Sequence, residues 1–402
     1  MCKYTNNELD TQIFFELFAG LITLTKKRET VLEETSSTRL FTCVFSQVND
    51  PRRQSKGNYR HSLTDILLVV ISGVLCGCND WDSIALFGQE QESWLRKYGA
   101  FKFGIPSHDT LNRVFSALDP EEFSTAFSQW IAHIRTGQPG EVVAIDGKRI
   151  CNSYDEGRSA IHIVSAFASE DCLCLGQIAT EDKSNEITAI PKLLSMLDLQ
   201  GDIVTIDAMG CQKKIASTII SRGADYILAV KGNQGALQED IDYTIRLAKP
   251  ESQAKEVDGG HGRIETRKCT VFTDLSYITQ LQDWEKLSSI VLIESERIIK
   301  ATGEASNEKR FYISSRKDIA SIFNANIRKH WSIENNLHWS LDVTFREDFS
   351  RKRKDNAAKN FNVILKVALT LLGKDKSVNV SLNRKRMKAL LNTEYRDKLF
   401  EF

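Results

Sequence analysis

The sequence contains no apolar run long enough to cross a membrane. Its two most apolar stretches, Ile13–Leu24 and Ile66–Cys78, fall well short of the roughly 20 residues that a spanning helix needs. The first carries Glu16 and lacks the basic leader and the small-residue cleavage site of a signal peptide. We therefore expect a soluble, cytoplasmic protein without membrane contact.

Paired cysteine motifs are missing as well. The chain has nine cysteines, an odd number, and none stands in the C-x-x-C spacing of many zinc and redox sites. This predicts reduced thiols and no zinc site. The Walker, dinucleotide-binding and nucleophile-elbow motifs are also absent, so the sequence offers no sign of those nucleotide-binding or serine-hydrolase sites.

The whole chain has no net charge, because its 53 Lys and Arg residues balance its 53 Asp and Glu residues. Composition alone therefore neither favours nor excludes a polyanionic partner. The distribution is uneven, because residues 346–402 hold fifteen Lys or Arg and only seven Asp or Glu. Basic runs at 351–354 and 383–388 make this segment a place to seek DNA contacts, with Arg351 as a candidate. The alternative is that such runs are solvated surface.

Hydrophobic periodicity divides the chain into parts of different character. Helical spacing dominates up to a linker-like stretch, "RTGQPGE", with Ser62 and Asn185 as predicted helix caps. β-rich runs and then alternating helices and strands follow, which predicts an α/β fold with helices on both faces of a mixed sheet. The predicted parts are an atypical N-terminal extension (1–45), a small helical domain (46–135), a catalytic domain (140–375) with a β-rich insertion (about 252–318), and a basic tail (376–402).

Two short phrases share one pattern, an apolar run closed by Ile-Asp and a small residue. They are "VVAIDGKR" at 142–149 and "IVTIDAMG" at 203–210. In open α/β sheets, ligands collect at the ends of such buried strands. Asp146 and Asp207 would repel each other there unless a cation lay between them, and oxygen clusters suit Mg²⁺ or Mn²⁺. The alternative is structural: Asp146 makes a turn and Asp207 caps the next helix.

A third acid is indicated by helical spacing in "NIRKHWSIENNLHWSL". Glu334 falls in the middle of a predicted buried face, where an acid is costly unless it is paired or bound to a metal. The alternative is a buried ion pair with Lys or Arg. Glu347 and Asp348 are the nearest rivals, but they lie in sequence of exposed character. The predicted face consists of Ile327, Trp331, Glu334, His338 and Leu341.

Polar residues beside these acids suit contacts with a nucleic-acid backbone. Lys148 follows Asp146 closely, and Lys231, Asn233 and Gln234 follow the strand after Asp207. The alternative is that the Gly-Asn sequence in this segment is an ordinary turn.

Several of these segments together resemble the H-repeat-associated proteins, a group of insertion-sequence transposases with a DDE catalytic domain. The resemblance runs from about residue 45 to the end. It implies a ribonuclease-H-like core behind a small helical domain, with Asp146, Asp207 and Glu334 as a catalytic triad that binds two Mg²⁺ or Mn²⁺ ions. The matching segments are "AIDGK", "EDKSNEITAIPKLL", "TIDAMGCQK", "AVKGNQG", "YISS" and "HWSIENNLHWSLDVTFRED".

The resemblance also implies a function and a partner. These are DNA transposition by recombination, acting on double-stranded DNA at the element ends and the target. The expected place is the bacterial cytoplasm, at the nucleoid, and a homodimer is consistent with bringing two ends together. Two alternatives stay open: a DNA nuclease without strand transfer, and a DNA-binding protein that has lost catalysis.

The chain departs from related transposases at two positions of the last helix. Those proteins carry Arg four residues before the Glu and Lys seven residues after it, where this chain has His330 and Leu341. Arg328 and Arg346 are therefore candidates for the missing phosphate contact. His330 is kept as a candidate DNA contact.

Overall fold

The computed structural model describes residues 41, 43–52, 60–154, 160–180, 186–260 and 262–400. The predicted N-terminal extension falls almost wholly outside this part of the chain, and so does the predicted cap Asn185. Within the described residues, no helix has both the length and the apolar character that a bilayer crossing demands.

Helical residues at 41 and 43–45 and five helices between residues 63 and 134 confirm the predicted small helical domain. Helix α1 begins where the Ser62 hydroxyl accepts a hydrogen bond from the Asp65 amide at 3.0 Å, as the sequence predicts. Helix α5 begins at Pro120, after Asp119 accepts hydrogen bonds from two amides of the first turn. The helices are α1 (Leu63–Leu75), α2 (Trp81–Glu90), α3 (Glu92–Leu95), α4 (His108–Ala117) and α5 (Pro120–Ile134).

A mixed sheet of nine strands follows in the described chain. Its strands are β1 (Val142–Arg149), β2 (His162–Ala168), β3 (Leu173–Thr180), β4 (Ile203–Ile206), β5 (Asp225–Val230), β6 (Ser252–Gly260), β7 (Arg263–Phe272), β8 (Ser289–Ile299) and β9 (Ala305–Ser314). Their order across the sheet is β3-β2-β1-β4-β5-β9-β8-β7-β6. β1, β4 and β5 run parallel and the other neighbours pair antiparallel, which confirms the predicted ribonuclease-H-like mixed sheet.

The segment predicted as a β-rich insertion supplies strands β6 to β9. These strands continue the central sheet, because β9 pairs antiparallel with β5 from Ile227 to Val230. The segment is therefore hydrogen-bonded to β5, the neighbour of β4, which leads to Asp207.

Helices cover both faces of the sheet, as predicted. α6 (Glu186–Met196), α7 (Lys213–Ser221) and α8 (Gly235–Leu247) contribute apolar side chains to the larger core on one face. α9 (Ala320–Lys329) packs Phe323 and Ile327 against Val142, Ile203 and Ile227 on the other face. Burying both faces explains why the central strands are almost continuously apolar.

Helix α10 (Ala357–Lys374) joins the leading helices to the sheet. It contacts α1, α4, α5 and β3, and its side chains belong to the same continuous core. Fully buried Asn360 donates hydrogen bonds to the carbonyls of Phe115 at 2.8 Å and Leu118 at 3.0 Å. α11 (Leu382–Leu391) and α12 (Thr393–Lys398) follow it.

Between α9 and α10 the chain forms two π-helical segments, Ile333–His338 and Ser340–Thr344. Their hydrogen bonds span five residues, so the regular α-helical spacing used in the sequence prediction does not apply. The buried apolar side chains are Ile333, Leu337 and Leu341, four residues apart. The predicted buried position of Glu334 is therefore wrong, because its side chain is exposed.

Candidate active site

Two of the candidate acids directly follow the last paired residues of the neighbouring parallel strands β1 and β4. The pairing of β1 with β4 ends at Ile145 and Ile206, and Asp146 and Asp207 are the next residues. Asp146 lies within β1, which still pairs with β2 as far as Arg149, so it does not make the turn that the alternative required. The two carboxylates are thus delivered to one edge of the parallel pairing.

Asp207 is also held by the turn that it begins. Its Oδ1 accepts hydrogen bonds from the amides of Met209 at 3.1 Å and Gly210 at 3.3 Å. The capping role that the sequence offered as an alternative is therefore present, and it fixes the carboxylate next to Asp146.

Glu334 approaches this edge on the first π-helical segment, which contacts β1 and β2. Burial raises the pKa of Asp146 to about 7, and the charges of Asp207, Glu334 and Glu186 also raise it. The structure thus brings Asp207 and Glu334 within electrostatic reach of Asp146. Three acids around one partly buried carboxyl concentrate negative charge at this edge of the sheet.

Glu186 and His338 stand close to Asp146, and the sequence analysis predicted neither as a site residue. A Cβ added at Gly147 would lie 2.4 Å from Glu186 Oε1, so glycine leaves the space in which this carboxylate sits beside Asp146. His338 Nδ1 lies 3.5 Å from Asp146 Oδ2. Burial lowers the pKa of His338 to about 3, and Lys366 and Lys148 lower it further, so its imidazole is neutral. The sequence signal that could have indicated His338 is its four-residue spacing from Glu334.

Lys148 is engaged inside the protein. Its Nζ forms ion pairs with Asp342 and, at 2.6 Å, with Glu347, which is only 2% exposed. Burial acts to lower the pKa of Lys148, but these two carboxylates outweigh burial and raise it. The expected exposure of Glu347 is wrong, because partners distant in sequence, Lys148 and Asn362, hold it inside.

The two acidic groups differ in how they are neutralised. Asp342, Glu347 and Asp348 offer carboxylate oxygens within 4.8 Å of one another, and Lys148 already supplies a positive charge there. Among the described residues, no Lys or Arg forms an ion pair within 4.0 Å with Asp146, Asp207 or Glu334. The carboxylate oxygens of these three acids do not all come within 4.8 Å of one another as those of the other group do, but their oxygen donors are of the kind that hard divalent metal ions accept.

Asn233 and Gln234 follow β5, and their side chains reach the turn that follows Asp207. The Asn233 amide donates to the carbonyl of Ala208 at 2.7 Å, and the Gln234 amide donates to the carbonyl of Cys211 at 2.9 Å. Both side chains therefore brace the Asp207 turn. Lys231, just before them, is exposed.

His330 lies behind β4, where its Nδ1 is 3.0 Å from the hydroxyl of Thr205. Burial lowers the pKa of His330, although the charge of Asp207 opposes this effect. The structure thus places His330 beside the strand that leads to Asp207, in a mostly enclosed setting.

Arg328, Arg346 and Arg351 are all exposed. Arg328 forms an ion pair with Asp258 at 2.6 Å, and the Arg346 guanidinium lies 5.2 Å from the ring centre of Phe349. No ion pair among the described residues joins these arginines to the three acids. Their predicted DNA contacts stay predictions.

Replacing Asp146 by asparagine is expected to stabilise the metal-free protein at alkaline pH. The Asp146 side chain is 23% exposed, and its pKa rises from an ordinary 3.8 to about 7 on folding, so ionisation opposes folding. This cost is small near pH 4, grows up to pH 7 and is complete above it, at up to about 4 kcal/mol. Asp146→Asn should therefore raise the melting temperature at pH 8 and change it little at pH 4, as measured by calorimetry in EDTA. Equal effects at both pH values would contradict the charge argument.

Comparisons with known proteins identify relatives over nearly the whole described chain. Residues 119–371 match the family described as "Transposase DDE domain", and residues 42–131 match the family described as "DDE_Tnp_1-associated". "Putative transposase YncI" of Escherichia coli O157:H7 is 43% identical over 87% of this chain and 92% of its own length. "H repeat-associated putative transposase YhhI" of Escherichia coli K12 is 42% identical over 83% of this chain and 91% of its own length.

A solved structure also superposes on this fold. It is described as "Cryo-EM structure of piggyBac transposase synaptic complex with hairpin DNA" and covers 90% of this chain and 81% of its own. The TM-score is 0.42 and the sequence identity is 12%.

Proposed function

Because the chain belongs to the family of proteins with a transposase DDE domain, we propose that it cleaves DNA strands at the ends of an insertion sequence and transfers them to target DNA with divalent metal ions. The transposase role follows from the family. The metal-dependent chemistry, double-stranded DNA as substrate, a location at the bacterial nucleoid and action as a homodimer are parts of the proposal.

One observation carries the proposal: Asp207 and Glu334 both act on the buried carboxyl of Asp146, and no Lys or Arg among the described residues pairs with these acids. A protein that needed these acids only for folding would be expected to pair them with cations. Unpaired carboxylates at the end of two buried strands favour a site that is completed by metal ions.

Two Mg²⁺ or Mn²⁺ ions, when bound, would supply an activated water or 3′-hydroxyl and stabilise the departing oxygen. Asp146, Asp207 and Glu334 would hold them as ligands. The Asp207 turn, braced by Asn233 and Gln234, fixes one of these carboxylates in place. Neutral His338 beside Asp146 leaves that carboxyl without a competing positive charge.

The proposal is tested by offering purified protein its element ends and a target plasmid. Cleavage and joining are expected in Mg²⁺ or Mn²⁺, neither in EDTA, and both are read on denaturing gels. Pre-nicked ends separate the alternatives: cleavage without joining indicates a nuclease, and salt-dependent binding without any cleavage indicates a DNA-binding protein. Either result would reject the proposed transfer reaction.

A further inference from the structure

A groove of about 550 Å³ lies beside the candidate active site, on the face of the sheet that α9 covers. Its floor consists of alternate residues from β7, β8 and β9, which point to the same face. Its wall includes Arg328 at the end of α9, then Trp331 and Asn335. Glu334 directly precedes Asn335, so the groove opens next to the third candidate acid.

The groove carries an excess of positive charge. Five arginines line it, at positions 263, 267, 297, 310 and 328, against two glutamates, at 265 and 308. Some arginines are paired: Arg310 with Glu308 at 2.7 Å and Arg328 with Asp258 at 2.6 Å. Within the described chain, Arg263 and Arg267 form no ion pair.

Arg267 shows that this charge is not ordinary solvated surface. Its side chain is among the buried ones, with the residue only 8% exposed, and its Nε has no hydrogen-bond partner in the described chain. Burial lowers the pKa of Arg267; Tyr312 and Glu265 oppose this effect, and the charges of Arg328 and Arg310 add to it. A buried guanidinium that forms no ion pair in the described chain, and whose Nε has no hydrogen-bond partner there, is costly, so the site is one that an anion would complete.

We propose that this groove binds the phosphodiester backbone of the DNA whose cleavage the three acids carry out. The inference rests on the proposed function for its choice of polyanion. Guanidinium groups match phosphate oxygens with paired hydrogen bonds, and a row of them on one sheet face follows a strand backbone. Arg263 and Arg267 are the phosphate contacts, since neither is neutralised within the described protein.

The experiment measures binding of a fluorescent mixed-sequence duplex of about 30 base pairs, in EDTA, at several salt concentrations. Arg263→Gln and Arg267→Gln should each weaken binding about tenfold at physiological salt. Each should also make the negative slope of log K against log salt shallower by about 0.9, the value for one phosphate contact. The double variant should show both effects roughly doubled.

Lys268→Gln is the matched control. Lys268 follows Arg267 on β7 but points to the opposite face, where its Nζ lies 3.7 Å from Glu294. The Lys268→Gln variant loses one positive charge from the same strand, and its salt slope of DNA binding should equal that of the wild type. Arg263 is exposed and Arg267 is an unpaired buried charge, so both variants should keep the wild-type melting temperature within a few degrees.

The groove assignment is overturned if both arginine variants, folded as shown by their melting temperatures, bind with the wild-type slope. Because binding is measured without metal ions, the result does not depend on cleavage. Failure of the proposed function would appear separately, as a wild-type protein that binds the duplex and does not cut DNA in Mg²⁺.

Discussion

Asp146→Asn, Asp207→Asn and Glu334→Gln are each expected to slow Mg²⁺-dependent strand cleavage by about a thousandfold or more. An amide keeps the shape of each side chain but removes the negative charge that would hold the metal ions. The measurement is single-turnover cleavage of labelled element ends on a denaturing gel. DNA binding in EDTA should stay within about threefold of the wild type, because the substitutions add no new positive charge in the groove.

Asp348→Asn is the control, since it removes a carboxylate from the acidic group that Lys148 occupies. Asp348 accepts a hydrogen bond from the Cys151 amide at 3.2 Å, and cleavage should persist within a few fold. Undiminished cleavage by any one of the three acid variants would remove that residue from the site. Loss of cleavage in Asp348→Asn together with normal activity in Glu334→Gln would move the metal centre to the other acidic group.

Lys148→Met is expected to reduce the free energy of unfolding by about 3 to 5 kcal/mol at pH 7. The substitution leaves Glu347, which is 2% exposed, as a buried charge whose remaining described partner is the neutral amide of Asn362. Urea unfolding followed by circular dichroism gives the value. The double variant Lys148→Met with Glu347→Gln should recover most of the loss, because the deeply buried charge is then gone and only the partly exposed Asp342 lacks its Lys148 partner.

The same variants test the sequence prediction that Lys148 contacts DNA. If its main partner is a phosphate, Lys148→Met should lower the salt slope of DNA binding and leave stability within about 1 kcal/mol of the wild type. A large loss of stability that Glu347→Gln does not repair would show that the ion pair is not what holds Lys148.

The position of Asp146 and Asp207 could be predicted because the signal is local. Each follows an apolar run, and parallel central strands carry such runs side by side. The mixed sheet and its two covered faces follow from the same periodicity. The first of the N-terminal helices was equally visible, since Ser62 marks its start by its own chemistry.

The proximity of Glu334 to these acids was predicted from a helix geometry that proved wrong. The sequence favoured a buried α-helical face, whereas the chain forms π-helical turns that leave Glu334 exposed. The predicted exposure of Glu347 was wrong for another reason. Its neighbours in sequence are charged, but Lys148, its partner, stands 199 residues away, and no local pattern encodes such a pairing.

The arginine groove shows a third limit. The alternation of Arg263, Glu265 and Arg267 is visible along β7, but the sequence does not say which strands flank it. Only the pairing of β7 with β8 and of β8 with β9 adds Arg297 and Arg310 to the same surface. The excess of positive charge on this face of the sheet therefore becomes apparent only once the strand order is known.

Helix α10, which is buried between the leading helices and the sheet, has a consequence for shortened copies of this gene. A reading frame that began at residue 140 would encode the whole sheet yet leave the apolar side of α10 bare and Asn360 without its two carbonyl acceptors. Such a product would aggregate rather than act as a free-standing nuclease. Truncation at the 5′ end is therefore expected to prevent folding of the product, even when every acidic codon survives.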